Sequence, residues 1–251
     1  SAASDVYKRQ AYTLYYNVTD TIGCSVDDSV NVLVNSNPIA NIVGVDSICD
    51  CDTTVLNATG GGSYAWNIGG NLDSVVVSPS SSTNYQVIVT DSNNCTDTAN
   101  FSLTVNPLPT SSITGNLSIC QGDSTTLSAS GGGNYNWNTG STSNSITVSP
   151  AVDSTFSVLV TNAFGCLDST GVTVLIQPNP TAVINGVVTI CEGESTILAG
   201  SGGGSYAWST GDTTSNITVQ PNDTTNYTLI VTNSGGCSDT TSYALSVIPI
   251  P

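Results

Sequence analysis

A gap-free internal repeat of 71 residues is the feature that most constrains what this chain can fold into. At that offset Trp66, Trp137 and Trp208 fall in one column, and each follows a tyrosine by two positions. Glycine triplets, prolines and cysteines superpose at the same offset. Because a chain that repeats in this way uses one structural unit several times, its 251 residues do not indicate a single large domain.

The repeat columns predict where the units begin and end. Three full repeats span residues 36–106, 107–177 and 178–248, and residues 11–35 match only the last third of a repeat. Residues 249–251 match the start of a further one, so we expect the chain to be an excerpt of a longer array. Residues 1–10 match no part of a repeat and hold both basic residues, Lys8 and Arg9. We interpret them as a non-native segment, with a native linker as the alternative.

Short β-prone runs predict the fold class. The last repeat contains about seven of them, separated by Gly, Asn, Pro and Asp, and none shows helical periodicity. In NYTLIVT, for example, Tyr227, Leu229 and Val231 alternate with polar or outward positions. The sequence therefore predicts an all-β protein of tandem immunoglobulin-like antiparallel sandwiches, about seven strands each, in a linear array. The aromatic residues expected in the cores are Trp66, Trp137, Trp208, Tyr85, Phe156 and Tyr227.

The cysteines also follow the repeat. Each full repeat has two cysteines 46 residues apart, which predicts the disulfides Cys49–Cys95, Cys120–Cys166 and Cys191–Cys237 and an oxidising compartment. Spacing leaves open an alternative set across the repeat junctions, Cys95–Cys120 and Cys166–Cys191. Cys24 and Cys51 remain as unpaired or intermolecular thiols. A zinc site at Cys49 and Cys51 is disfavoured because the chain contains no histidine.

Charge and composition exclude several functions. From residue 11 onward the chain has seventeen acidic residues and no basic one, which excludes nucleic acid as a partner. No apolar run is long enough to insert this segment into a membrane. Without histidine, and with carboxylates mainly in turns, we expect no catalytic site, no enzyme activity and no cofactor. Structural calcium stays open as an exception, with Asp91, Asp153, Asp223 and the turn near Asp212 as candidate ligands.

Residues 11–251 resemble a known family. The runs ICEGEST, SYAWSTG and NYTLIVTNSGGCS are similar to the PKD-like or Ig-like tandem repeats of Bacteroidota cell-surface and secreted proteins, which are associated with type IX secretion. The tryptophan motifs WNIGG, WNTGS and WSTGD are shorter than the WDFGDG of standard PKD domains, so the Ig-like assignment fits better. The resemblance implies an extracellular or cell-surface location.

A triplet that recurs in every repeat, Asp followed by Ser or Thr and a small or aliphatic residue or Thr, resembles the O-glycosylation signal of that group. Composition is the alternative explanation, since Asp-Ser pairs also favour turns. The candidate acceptors are Thr21, Ser29, Ser47, Thr53, Ser74, Thr98, Ser124, Ser154, Ser169, Thr213, Thr224 and Thr240.

These observations favour a passive role. We expect a semi-rigid stalk or filament-forming segment, with Pro-containing linkers such as NPLP and QPNP, that serves adhesion or surface display. Its partners would be neighbouring repeats and other copies in a filament. The alternative is a glycan- or protein-binding module appended to an exported enzyme or adhesin, which solvent-exposed tryptophans would favour.

Overall fold

The computed structural model describes residues 10–250, with only the backbone of Gln10, and this part of the chain is all-β with 23 strands. The segment predicted to be non-native therefore lies outside the described residues except for Gln10, as does Pro251. The all-β prediction is confirmed. Each full repeat contributes seven strands, and a two-stranded hairpin precedes them.

The hairpin consists of β1 (Gln10–Thr19) and β2 (Ser25–Val34). Repeat 1 contains β3 (Asn41–Val43), β4 (Ser47–Cys49), β5 (Thr54–Thr59), β6 (Ser63–Trp66), β7 (Ser74–Val77), β8 (Thr83–Thr90) and β9 (Thr96–Asn106). Repeat 2 contains β10 (Ser112–Thr114), β11 (Ser118–Cys120), β12 (Thr125–Ser130), β13 (Asn134–Trp137), β14 (Ser145–Val148), β15 (Ser154–Thr161) and β16 (Leu167–Gln177). Repeat 3 contains β17 (Val183–Asn185), β18 (Thr189–Cys191), β19 (Thr196–Ser201), β20 (Ser205–Trp208), β21 (Asn216–Val219), β22 (Thr225–Thr232) and β23 (Ser238–Ile248).

Each repeat forms the same two sheets. In repeat 1 these are a three-stranded sheet, β3-β5-β7, and a four-stranded sheet, β4-β9-β8-β6. All pairs are antiparallel except β4 with β9, which run parallel, and repeats 2 and 3 follow the same plan. Two sheets with this strand order, joined through one core, form an immunoglobulin-like sandwich.

One apolar cluster per repeat holds the two sheets together. In repeat 1, Leu56 of the three-stranded sheet and Val87 and Leu103 of the four-stranded sheet are at most 1% exposed. Because side chains alternate between faces along a strand, the polar residues between them point to solvent. Repeats 2 and 3 contain equivalent clusters.

The tryptophans lie inside these cores. Trp66, Trp137 and Trp208 are 5%, 2% and 5% exposed. Each indole N–H donates to the backbone oxygen six residues later, at 3.0, 2.9 and 2.8 Å, so the one polar atom of the ring is satisfied. Tyr85 and Tyr227 are also buried, and burial raises the pKa of both phenols. Phe156 packs against its core while partly exposed.

The glycine triplets turn the chain between the third and fourth strands of each repeat. In repeat 2, Gly131, Gly132 and Gly133 all have positive φ, which L side chains rarely adopt. A Cβ on Gly133 would collide with the backbone oxygen of Thr161, whereas one on Gly132 would meet open space. The third glycine is therefore required by close backbone approach as well as by φ.

The described chain divides into two compact units. One comprises the residues up to Leu108 together with Ala163–Cys166, and the other comprises Pro109–Asn162 and the residues from Leu167 onward. Within the first unit, the β1–β2 hairpin exposes the face that a full repeat buries. Leu14, Tyr16 and Val18 are about half exposed, although the corresponding residues of β8 are buried.

Candidate functional site: cysteine corners and cysteine hairpins

Two small motifs carry the cysteines of each repeat. The first, which we name the cysteine corner, is the turn that follows the short second strand, at residues 47–52, 118–123 and 189–194. In each corner the residue after the cysteine donates its N–H to the last residue of the long final strand, as Asp50 does to Asn106 O at 2.9 Å. The N–H of Asp52 also donates to Cys49 O at 3.0 Å, which closes a tight turn.

The second motif, the cysteine hairpin, joins the last two strands of each repeat and occupies residues 20–24, 91–95, 162–166 and 233–237. Its first residue is Asp or Asn, and the side chains of Asp20, Asp91 and Asn233 cap their turns. Asp91 Oδ1 accepts from the N–H groups of Asn93 and Cys95 at 2.8 and 2.9 Å. These bonds lower the pKa of Asp91, the bond from Cys95 contributing most.

The disulfides join corners to hairpins of consecutive repeats. Cys49 bonds to Cys166 and Cys120 bonds to Cys237, with Cα–Cα distances of 5.6 and 5.5 Å. Each bond spans 117 residues. Cys24, Cys51, Cys95 and Cys191 have no disulfide partner among the described residues.

The predicted pairings within repeats, Cys49–Cys95, Cys120–Cys166 and Cys191–Cys237, are therefore wrong. Within repeat 1, Cys49 lies opposite Asn106 at the end of β9, whereas Cys95 directly precedes Thr96 at its start. A strand of 11 residues separates these points by about 35 Å, far beyond the reach of a disulfide. The alternative set, Cys95–Cys120 and Cys166–Cys191, is also wrong because Cys120 and Cys166 bond elsewhere.

Polar contacts surround the Cys120–Cys237 bond within the second unit. Cys237 is 1% exposed, and its Sγ lies 3.9 Å from Gln177 O. Next to it, Asn233 Nδ2 donates to Pro178 O at 2.8 Å, and Asn179 Nδ2 donates to Gln121 O at 3.2 Å. The hairpin of repeat 3 is thus hydrogen-bonded to the linker at Pro178, and the same linker is hydrogen-bonded through Asn179 to the corner of repeat 2, in addition to the covalent bond.

Cys51 is an exposed thiol in a strained position. It occupies the corner position held by Gly122 and Gly193 in the other repeats, and its φ is +68°. Only glycine adopts such a conformation without steric cost. The left-handed backbone at Cys51, next to the Cys49–Cys166 bond, therefore lowers the stability of the fold.

The sequence leaves structural calcium open, and two of its candidate ligands, Asp153 and Asp212, use their carboxylates in hydrogen bonds within the chain. Within residues 10–250, no three His, Cys, Asp or Glu side chains lie close enough together to hold a metal ion. Asp153 Oδ1 accepts from Ile176 N at 2.7 Å, and Asp212 Oδ2 accepts from Thr210 at 2.7 Å. The backbone oxygen of Asp223 accepts from Thr225 at 2.7 Å. The carboxylates of Asp153 and Asp212 therefore cap a strand end and a turn, whereas Asp223 contributes a backbone oxygen.

A further aspartate fastens the first strand of each sandwich, and sequence reasoning missed it. Asp168 Oδ2 accepts from both Oγ and N of Ser111, at 2.6 and 2.9 Å. The two bonds, chiefly the one from the hydroxyl, lower the pKa of Asp168. Asp97 and Asp239 make the corresponding backbone bonds in the other repeats, both at 2.8 Å. The recurrence of this aspartate two residues after the second cysteine of every full repeat was the available sequence signal.

Most candidate glycosylation acceptors lie on the surface. Ser74 and Ser154 are half-buried and the other ten are exposed. Thr224 Oγ1 also accepts from Val247 N at 3.2 Å, so its hydroxyl has a structural contact.

A shallow open groove lies on the outer face of the four-stranded sheet of repeat 2. Asn136, Asn138, Ser157, Ser169 and Gly171 contribute to its lining. Asparagine and serine take the place of Gly171 in the other two repeats. The amide and hydroxyl groups of the groove could hydrogen-bond to a polar ligand, while the buried Trp137 ring offers no stacking face.

No helix able to cross a membrane occurs in the described part of the chain. No protein-family model and no curated protein matches the sequence. Among solved structures, the chain is similar to a Ca²⁺-stabilised adhesin that helps an Antarctic bacterium reach out and bind ice, with 14% identity, 95% of this chain and 82% of that chain covered, and a TM-score of 0.33. It is also similar to a three-Ig fragment of titin, at 12% identity, 87% and 100% coverage and a TM-score of 0.42. These likenesses concern the fold alone.

The strand order and the repeated core by themselves define the class of protein, tandem immunoglobulin-like β-sandwiches.

Proposed function

We propose that this chain is a non-enzymatic structural segment of a bacterial extracellular or cell-surface protein, in which disulfides between consecutive repeats make a semi-rigid stalk for adhesion or surface display. The observation that carries the proposal is the pairing of corner with hairpin in Cys49–Cys166 and Cys120–Cys237. A bond inside a repeat would stabilise only that repeat, whereas a bond between repeats restricts their relative movement and carries tension from one to the next.

The chemistry of the surface supports this role. The cores bury the tryptophans, and the carboxylates of Asp91 and Asp153 accept backbone hydrogen bonds in a turn and at a strand end. Disulfides such as Cys49–Cys166 and Cys120–Cys237 form and persist outside the reducing cytosol, which supports an extracellular location. We include type IX secretion of a Bacteroidota protein in the proposal because of the sequence resemblance.

Single-molecule stretching tests the mechanical role. In the unfolded, oxidised chain, force passes from Cys49 through its disulfide to Cys166 and then along the polypeptide to Cys120. From Cys120 it passes through the second disulfide to Cys237. The reduced chain runs along all of residues 49–237. At roughly 3.5 Å per extended residue, reduction should lengthen the unfolded chain by about 500 Å.

The control is the same chain carrying Cys95→Ala and Cys191→Ala, which should show the same reduction-dependent lengthening because neither thiol is bonded. Equal contour lengths before and after reduction would contradict the proposed load path.

O-glycosylation of the exposed Ser and Thr acceptors forms part of the proposal. Ten exposed acceptors distributed over all repeats would give a glycan coat that shields a stalk from proteases. Intact mass of the chain purified from a Bacteroidota host should exceed the polypeptide mass by whole glycan units. A mass equal to that of the polypeptide would remove this part of the proposal.

The alternative function, a glycan- or protein-binding module, is favoured by the groove on repeat 2 alone. Glycan-array and pull-down experiments with the intact chain separate the two functions, since a stalk segment should retain nothing. Repeat 1 has Ala65 at the position equivalent to Asn136. Binding by the intact chain in these assays that is lost in Asn136→Ala would favour the alternative.

A further inference from the structure

Repeat 2 differs from repeat 1 at the centre of its four-stranded sheet. Gly171 lies in the interior of β16, opposite Ser157 of β15. In repeat 1 the equivalent pair is Asn100 and Gln86, and Gln86 Nε2 donates to Asn100 Oδ1 at 3.0 Å, so their side chains cover the sheet there. The two small residues of repeat 2 leave this position uncovered, and they line a groove of about 440 Å³.

The fold does not require glycine at position 171. The φ of Gly171 is not positive, and a Cβ on it would lie 3.4 Å from Phe156 O and 3.5 Å from Ser157 Cβ, which is ordinary contact. Glycine inside a strand weakens the strand, because it loses more backbone entropy on folding and packs no side chain. A strand glycine that the backbone does not need is typical of a place where another molecule approaches the sheet closely.

Two side chains with unused polar groups line the groove. Asn136 and Ser169 lie on either side of Leu159 in one row across the sheet. Within the described part of the chain, neither the Asn136 amide nor the Ser169 hydroxyl makes a hydrogen bond. Leu159 is 38% exposed between them. The groove therefore offers hydrogen-bond donors and acceptors beside one aliphatic surface.

Asn138 fixes the shape of the groove. Its Nδ2 donates to Thr155 O at 3.1 Å, and its Oδ1 accepts from Ser157 N at 3.2 Å. The backbones of β15 and β16 pair with each other along the whole of residues 154–161. The groove is therefore formed before a ligand arrives, and a ligand meets side chains and no open strand edge.

These features select an uncharged ligand that is rich in hydroxyl groups. None of the residues that line the groove is charged, so it offers no partner to a cation, and the net charge of −16 disfavours an anion. A peptide that adds to a sheet needs an open edge, which the groove lacks. A sugar has hydroxyls that both donate and accept, and C–H groups that pack on an aliphatic side chain.

We infer that the groove of repeat 2 is a binding site for a short, uncharged saccharide. Asn136 and Ser169 hydrogen-bond to its hydroxyls, Leu159 packs against its C–H groups, and Gly171 leaves room for the ring. The groove volume of about 440 Å³ lies at the lower end of the range for ligand sites, roughly 300–1,000 Å³.

This inference goes beyond the proposed stalk function, because the disulfides carry tension whether or not a sugar is bound. The groove is shallow and open, so it buries less of a ligand than an enclosed site does. We expect a dissociation constant on the order of 1 mM, which is too weak for retention after washing on an array or in a pull-down. Many copies displayed on one surface would bind together with higher avidity.

The test is a titration of the full chain, followed by NMR of its backbone and side-chain amides. The probes are cellobiose, maltose, lactose and mannobiose, with glucuronate as the charged control. We expect saturable shifts at the Gly171, Ser169 and Asn136 amides with at least one uncharged probe and none with glucuronate. Gly171→Asn should abolish these shifts, and Asn136→Ala should weaken binding about five- to tenfold. Repeat 1 carries the same two residues, Asn100 and Ala65, at the equivalent positions, so both variants are matched controls.

Absence of saturable shifts with all four uncharged sugars at about 20 mM, well above the expected dissociation constant, would overturn the inference. Shifts that persist in Gly171→Asn, or equal shifts at Asn100 of repeat 1, would also overturn it, because that binding does not use the groove. If Gly171→Asn loses its folded spectrum, Asn136→Ala decides: unchanged binding in that variant refutes the site. The stretching experiment reports on the disulfides alone, so failure of the stalk proposal and failure of the sugar site are separate results.

Discussion

Removing the Cys120–Cys237 bond should destabilise the second compact unit strongly. The bond closes a loop of 117 residues, for which the loop-entropy relation gives about 5 kcal/mol at about 25 °C. Residual structure in the unfolded chain lowers this figure, so we expect a loss of about 3–5 kcal/mol for Cys120→Ala combined with Cys237→Ala. Alanine is chosen because Cys237 is buried, where a serine hydroxyl would add its own desolvation cost.

Guanidinium denaturation followed by tryptophan fluorescence measures this loss, because Trp137 and Trp208 are buried in the cores of repeats 2 and 3 and their emission changes when those cores unfold. The matched control is Cys95→Ala with Cys191→Ala, which breaks no bond and should change stability by less than about 0.5 kcal/mol. If the control pair loses as much stability as the test pair, the corner-to-hairpin connectivity is refuted.

Three further predictions concern single residues. Gly133→Ala should lower stability by about 2–4 kcal/mol, because its Cβ would collide with the backbone and its φ is positive. Gly132→Ala should lower stability by only about 1 kcal/mol, because its Cβ would meet open space. Equal melting temperatures for the two variants would contradict this prediction. Cys51→Gly should raise stability by about 1 kcal/mol by relieving its left-handed backbone, and an unchanged or lower denaturation midpoint would be the opposing result. The depressed pKa of Asp168 stabilises the fold above the ordinary value of 3.8, and this contribution disappears as pH falls through the lower folded value. Asp168→Asn should therefore weaken the acid dependence of stability between neutral pH and pH about 3, as measured by denaturation across pH, while an unaltered pH profile would show that Ser111 does not hold this carboxylate.

The strands could be predicted from sequence because local patterns determine them. NYTLIVT alternates large apolar with outward residues, and it forms β22 from Thr225 to Thr232. The run SYAWST places Trp208 at the end of β20 with its ring in the core. Glycine and asparagine clusters between such runs marked the turns. Period, β-propensity and turn chemistry therefore agree in each repeat.

Disulfide connectivity could not be predicted, for a reason inherent in repetition. Every cysteine column recurs each 71 residues, so a bond across 46 residues and one across 117 residues join the same two columns. What separates them is the parallel register of β4 with β9, which puts the two cysteines of one repeat at opposite ends of a long strand. Parallel pairing is a long-range contact that no local pattern reports.

The candidate site was correspondingly harder to predict than the fold. The sequence indicated that the cysteines form disulfides, but it favoured bonds within each repeat, and the structure shows bonds between repeats. The seating of the Cys237 hairpin on Pro178 and the aspartate that fastens Ser111 depend on contacts between residues more than 50 positions apart.

The central claim is that disulfides join consecutive repeats and not the two halves of one repeat. Mass spectrometry of an unreduced digest with a protease that cleaves at acidic or aromatic residues tests it most directly, after free thiols have been alkylated. We predict one linked peptide pair containing Cys49 and Cys166, a second containing Cys120 and Cys237, and alkylated Cys95. Peptides linking Cys49 to Cys95 or Cys120 to Cys166 would contradict the account.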